Sequence, residues 1–169
     1  MKFNPLKNYM KKNNQITIIS LVVAIIVLGG AVAFSKSQKT DSSDGNADKI
    51  KAVVYKSPTC GCCVQYVAYL KKQGFEVETV STDDMASIKD QHGIKGNMES
   101  CHTTIIGDYF IEGHIPMEAV SKLLTEKPEI DGIALPEMPA GSPGMPGIKA
   151  GAFEIYGIKG GESSDFMSL

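Results

Sequence analysis

"KAVVYKSPTCGCCVQYVAYLKKQG", residues 51–74, is the stretch whose reading decides the fold. "KAVVYK" is a short β-branched and aromatic run broken by "SPT", which predicts a buried strand ending in a turn. Cys60, Cys62 and Cys63 then crowd the point where the strand gives way to a helix. Val64, Val67, Ala68, Leu70 and Lys71 follow at helical spacing, and Gly74 stands where a helix C-cap belongs. Three of the chain's four cysteines occupy this turn, and the fourth, Cys101, precedes His102. Such a cluster fits three chemistries: a redox pair, a metal cage or a disulfide staple.

Working downstream, "FEVETVS" at residues 75–81 alternates apolar and polar through Phe75, Val77 and Val80, the pattern of a half-buried second strand. Asp83 and Asp84 open a short helix through Met85 and Ile88, which Gly93 stops. In "CHTTIIGDYFIEGHIP", residues 101–116, Thr103 to Ile106 and Tyr109 to Glu112 flank a Gly107-Asp108 break and predict a hairpin. Pro116 suits the first position of a helix whose apolar face is Met117, Val120, Leu123 and Leu124. The order is β-α-β-α-β-β-α, an α/β domain over residues 50–127. Residues 128–169 contain "LPEMPAGSPGMPGIKAG" and are expected as a Gly/Pro/Met-rich loop and C-terminal extension without a foldable pattern.

Working upstream, residues 16–34 carry no charge and match the roughly 20 apolar residues that cross a bilayer. Lys2, Lys7, Lys11 and Lys12 precede them, so residues 1–15 are expected in the cytoplasm and everything after Phe34 outside. Residues 35–49 are polar and form a flexible linker. The expected location is the cell membrane, single-pass, with the domain on the periplasmic or extracellular side. Ala31 to Ala33 also resembles a signal-peptidase site, and cleavage there would make the protein secreted. The apolar run exceeds the about 7 to 15 residues of a signal h-region, which favours a retained anchor. A net charge of -2 and the lack of any arginine exclude nucleic acid as a partner. The roughly 120 residues past the linker bury enough surface to fold without disulfides, which weakens the staple reading.

A strand, a cysteine turn, a helix, a parallel strand, then helix, hairpin and helix resembles the thioredoxin and glutaredoxin fold. "VVYKSPTCGCC" is similar to the glutaredoxin opening, and His102 falls where those relatives place a cis-Pro, with Cys101 just before it. The resemblance implies that Cys101, His102 and, at the far end of the hairpin, His114 lie at the same sheet edge as the cysteine turn. A helix N-terminus favours thiolate, and cysteines there fall to roughly pKa 3.5 to 7.5. Cys60 and Cys63 suffice for thiol–disulfide exchange, so Cys62 and Cys101 are surplus to it. That surplus favours metal. Zinc usually draws on pairs spaced C-x2–4-C, and the adjacent Cys62 and Cys63 should diverge by about 100° on a helix. Soft Cu(I), which thiolates can bridge, suits the pattern better, with the thioethers of Met138 and Met145 as candidate lid ligands.

"SPTCGCC", "SCHT", "EGHIP" and "MPAGSPGM", in this order, resemble the CopG-like family of exported, copper-associated thioredoxin-like proteins, catalogued as a domain of unknown function. The resemblance spans residues 51–147 and implies a copper cluster held by Cys60, Cys62, Cys63 and Cys101, a role in copper tolerance, redox conversion of copper, and other copper-handling proteins as partners. His102, His114, Met138 and Met145 are additional candidate ligands, each with a plainer reading as hydrogen-bonding or packing residues. His92 reads as a helix C-terminal dipole partner, Met85 and Met117 as core. Zinc remains the alternative metal, and a membrane-anchored thiol–disulfide oxidoreductase using Cys60 and Cys63 the alternative function.

Overall fold

The computed structural model describes residues 49–169. The expected cytoplasmic segment 1–15, the span 16–34 and all but the last residue of the linker 35–49 lie outside the described residues. Among the described residues no helix is long and apolar enough to cross a membrane.

Strand β1 (Lys51–Lys56) pairs in parallel with β2 (Glu76–Ser81) and antiparallel with β3 (His102–Ile106), which turns into β4 (Tyr109–Glu112). Helices α1 (Gly61–Lys72), α2 (Met85–Gln91) and α3 (Met117–Glu126) complete the expected β-α-β-α-β-β-α order. The local signals act as read. Gly74 and Gly93 take positive φ just past α1 and α2, and the Asp84 side chain caps α2 by accepting from Ser87 N. Helix α1 differs in which face it buries. Cys63, Tyr66, Val67 and Leu70 point inward, whereas Val64 and Ala68 are exposed. The inward set follows the i, i+3, i+4, i+7 rule from Cys63, and Val64 sits about 100° away around the axis.

The main core lies between α1, α3 and one face of the sheet, where Ala52, Val54 and Ile111 meet Leu70, Ala119, Val120 and Leu123. Complete burial of such aliphatic side chains contributes roughly 1.5–3 kcal/mol each. Phe110, next to Ile111 on β4, joins a smaller cluster with Ile94, Ala134 and Ile158, as strand alternation requires.

Past residue 128 the structure holds more than a loop. Strands β5 (Gly132–Ala134), β6 (Glu154–Lys159) and β7 (Glu162–Ser168) extend the sheet to seven strands in the order β2-β1-β3-β4-β5-β6-β7. Strand β5 is too short to show a period, and its fully buried GIA has no polar face to alternate with. Strand β7 is mostly exposed and its polar ESSD run hides its pairing with β6. The loop between β5 and β6 is closed by its own bonds: Ser142 Oγ donates to Pro139 O at 2.7 Å and Met145 N to Ser142 O at 2.9 Å.

Candidate metal centre

The turn after β1 is assembled by short-range bonds. Cys60 N donates to Ser57 O at 3.2 Å, and Cys60 caps α1, its Sγ accepting from Cys63 N at 3.3 Å. Lys56 is buried and donates its ammonium to Ser57 O at 2.8 Å, satisfying a carbonyl of the turn. Cys60 and Cys63 are joined by a disulfide, with Cα atoms 5.4 Å apart, while Cys62 and Cys101 carry free thiols.

Cys101 arrives from the other limb, at the start of β3. Its Sγ lies 3.6 Å from Cys62 Sγ and 3.5 Å from Cys63 Sγ, and Cys62 Sγ is 3.5 Å from Cys60 Sγ. All four sulfurs fall within 4.8 Å of one another. The expected divergence of Cys62 and Cys63 does not keep them from a shared centre, because Cys101 reaches both. A tetrahedral zinc with bonds of about 2.3 Å needs sulfurs about 3.8 Å apart. Adjacency therefore gives no argument against one ion once the disulfide is opened.

Two imidazoles close the far side. Cys101 Sγ is 3.3 Å from His102 Nδ1 and 3.1 Å from His114 Nε2, and both rings are fully buried. His114 Nδ1 stands 2.7 Å from the carbonyl oxygen of Pro143. A carbonyl only accepts, so Nδ1 carries the proton and the Nε2 lone pair faces Cys101. His102 Nε2 has no hydrogen-bond partner among the described residues. Burial lowers the pKa of both histidines, with His114 and Lys89 pushing His102 further in the same direction. Both are held neutral, the form that ligates metals. Cys101, His102 and His114 thus form a second group that could hold a metal ion, and it shares its sulfur with the first.

The Cys101 thiol lies outside the helix N-terminus, to which the expected lowering applies. Burial, then the Cys62 thiol, pushes it up to about 12. Within the first turn of α1 the Cys63 N–H serves Cys60, whereas Cys101 belongs to the other limb.

The Gly/Pro-rich loop is brought to the site as a backbone ligand of His114. Gly144 allows the approach: its φ is +83°, and a Cβ there would lie 2.8 Å from Tyr66 N. Met138 is 46% exposed and Met145 half-buried, so the loop's demonstrated contact is the Pro143 carbonyl and not a thioether.

Three residues around the site escaped the sequence reading. Tyr66 is buried, donates its hydroxyl to Ile115 O at 3.0 Å and lays its ring 4.6 Å from that of His102. Lys89 of α2 and Glu112 of β4 form a buried ion pair. Glu112 Oε1 also accepts from Ser100 N at 2.6 Å, Oε2 accepts from Thr103 Oγ1 at 2.6 Å, and Lys89 Nζ donates to Ser100 O at 2.9 Å. Gly113 makes room, since at φ +86° a Cβ there would lie 2.7 Å from Ser100 Cβ. The available signal was Glu112 itself, a charge that ends an otherwise apolar strand and, once buried, demands a partner.

Comparison with known proteins divides the site between two family models. Residues 52–100 match the glutaredoxin model, and residues 98–145 match the family described as "Protein of unknown function, DUF411". The cysteine turn falls in the first, and Cys101, His102, His114 and the Pro143 loop in the second. A solved chain named "Copper resistance protein copG", form 2, is 34% identical over 72% of this chain and 99% of its own, with a TM-score of 0.67. Its form 1 matches at 34% identity over 72% of this chain and 98% of its own, with a TM-score of 0.66. No curated protein matches the chain.

Proposed function

This chain belongs to the CopG-like family, and from that premise we propose that it is an exported copper-binding protein of copper handling or tolerance. It holds Cu(I) in a thiolate cluster of Cys60, Cys62, Cys63 and Cys101. The observation that carries this reading is the convergence of four sulfurs from two remote limbs within 4.8 Å. Soft thiolates select Cu(I), and the neutral imidazoles of His102 and His114 are borderline donors suited to either copper oxidation state, which supports redox conversion of the bound copper. Met138 and Met145 remain candidate covering ligands.

Loading first requires that an external thiol reductant open the Cys60–Cys63 disulfide, giving it two electrons and two protons and leaving as its own disulfide. Metal then displaces the thiol protons, so uptake releases acid. The test is metal analysis of reduced protein purified anaerobically with copper. Several coppers per chain, with copper–sulfur and short copper–copper distances in X-ray absorption, support a cluster. A single zinc and no copper defeats it.

A second reading, a thiol–disulfide oxidoreductase, is favoured by the disulfide at the start of α1 and by the glutaredoxin match. It requires that Cys62→Ser and Cys101→Ser retain insulin-reducing activity. The copper reading requires that both variants lose copper.

For location, we propose a retained anchor at residues 16–34 with the domain on the outer face, a reading that rests on the uncharged apolar run and the lysines before it. Fractionation and protease added from outside test it. Soluble chain lacking residues 1–33 in the exported fraction would show cleavage instead.

A further inference from the structure

The peptide that carries Cys101 and His102 is gripped on both sides by one buried carboxylate. Glu112 Oε1 takes the Ser100 N–H, one residue before Cys101, and Oε2 takes the Thr103 hydroxyl, one residue after His102. Lys89 holds the same carboxylate and also donates to the Ser100 carbonyl. Glu112 is 0% and Lys89 5% exposed, in a place where each would be costly alone. Two ligand candidates therefore sit in a four-residue window whose ends are fixed from α2 and β4, elements that supply no sulfur themselves.

We propose that the Lys89–Glu112 pair is the positioning device of the metal centre, which fixes residues 100–103 so that Cys101 and His102 face the cysteine turn before metal arrives. This rests on the reading of Cys101 as a ligand. It assigns to two residues outside the ligand set a share of the affinity. A ligand already held in place loses less freedom on binding, and removing such outer partners from metal sites costs about 10–100-fold in affinity.

Stability alone also explains a buried ion pair, so the test separates the two roles. Cu(I) affinity of the reduced full chain is measured by competition with a chromophoric chelator, alongside thermal unfolding. Glu112→Gln keeps the shape of the side chain but cannot accept from Ser100 N, Lys89 and Thr103 together. Lys89→Met with Glu112→Leu removes the whole pair, a change that leaves buried pairs about as stable as before. Leu123→Ala, in the core on α3, is the control for lost stability without a lost clamp.

The expected result is a loss of about tenfold or more in affinity for both clamp variants, with wild-type affinity in Leu123→Ala at temperatures where it is folded. The double variant decides the matter if Glu112→Gln does not fold. Wild-type affinity in a folded, clamp-free double variant overturns the inference and leaves the copper reading intact. A reduced wild-type chain that takes up no Cu(I) overturns both.

Discussion

The two limbs of the site bring their sulfurs together by different physics. The cysteine turn is built from neighbours: Cys60 caps the helix it begins, Ser57 O closes the turn, and Lys56 satisfies a carbonyl next to itself. The Cys101 limb has no such local support. Ser100 to Thr103 is held at long range, by the pairing of His102 and Thr103 with β1 and β4, by Glu112, by Lys89, and, through His114, by the carbonyl of Pro143. One limb is set by short-range bonds between Lys56 and Cys63; the other is set by long-range pairing of β3 with β1 and β4 and by packing of α2 and a distant loop. A site divided in this way has one half that survives loosening of the domain and one half that reports on it.

The contrast is broken most severely at Glu112. Glu112→Ala leaves Lys89 buried without its counter-charge, and an orphaned partner of this kind costs about 3–5 kcal/mol. Denaturant unfolding should show that loss, while Cys60 and Cys63 of the still-folded fraction should form their disulfide as before. Removing the sulfur itself comes next. Cys101→Ser takes a soft ligand from both ligand groups, and Cu(I) affinity should fall by about a hundredfold, equivalent to about 2.7 kcal/mol. Chelator competition measures it, and an affinity within about threefold of wild type would remove Cys101 from the centre.

Smaller changes sharpen the comparison. Tyr66→Phe deletes the bond to Ile115 O and should cost about 1 kcal/mol in unfolding experiments, with the histidine rings still covered. Asp84→Ala lies furthest from the site and has the smallest effect. The Ser87 hydroxyl and N–H lower the Asp84 pKa in the folded state. Its stabilisation is therefore complete above the ordinary carboxylate range and is lost as pH falls through the lowered value. Wild type and Asp84→Ala should differ slightly in melting temperature at neutral pH and converge in acid.

The same division governs what could be read from the residues in order. Local signals were legible: the strand from Lys51, the cysteine turn, Gly74 and Gly93 as stops, the hairpin break at Gly107, and Pro116 before α3. The meeting of Cys101 with the turn was legible through topology, since an antiparallel β3 must begin where β1 ends, as the pairing of Lys56 with His102 shows. The buried face of α1 was misplaced by one residue because Val64 looks more apolar than Cys63, although only Cys63 points inward. Strands β5 to β7 were hidden because GIA is too short to show a period and the β7 side chains are mostly polar. Lys89 and Glu112 stand 23 residues apart, and nothing local links them until α2 docks on the sheet.

The Cys60–Cys63 bridge has a consequence for cells in which copper and oxidants vary together. On the copper reading, oxidation and the cation compete for the same sulfur electron pairs, so each protects the chain from the other. Each ion bound on opening the bridge makes the couple easier to reduce by about 30 mV for every tenfold rise in free ion. On that reading, a scarce ion leaves the sulfurs locked to each other and an abundant one draws them open, so the supply of the ion sets the chain's own readiness to bind it.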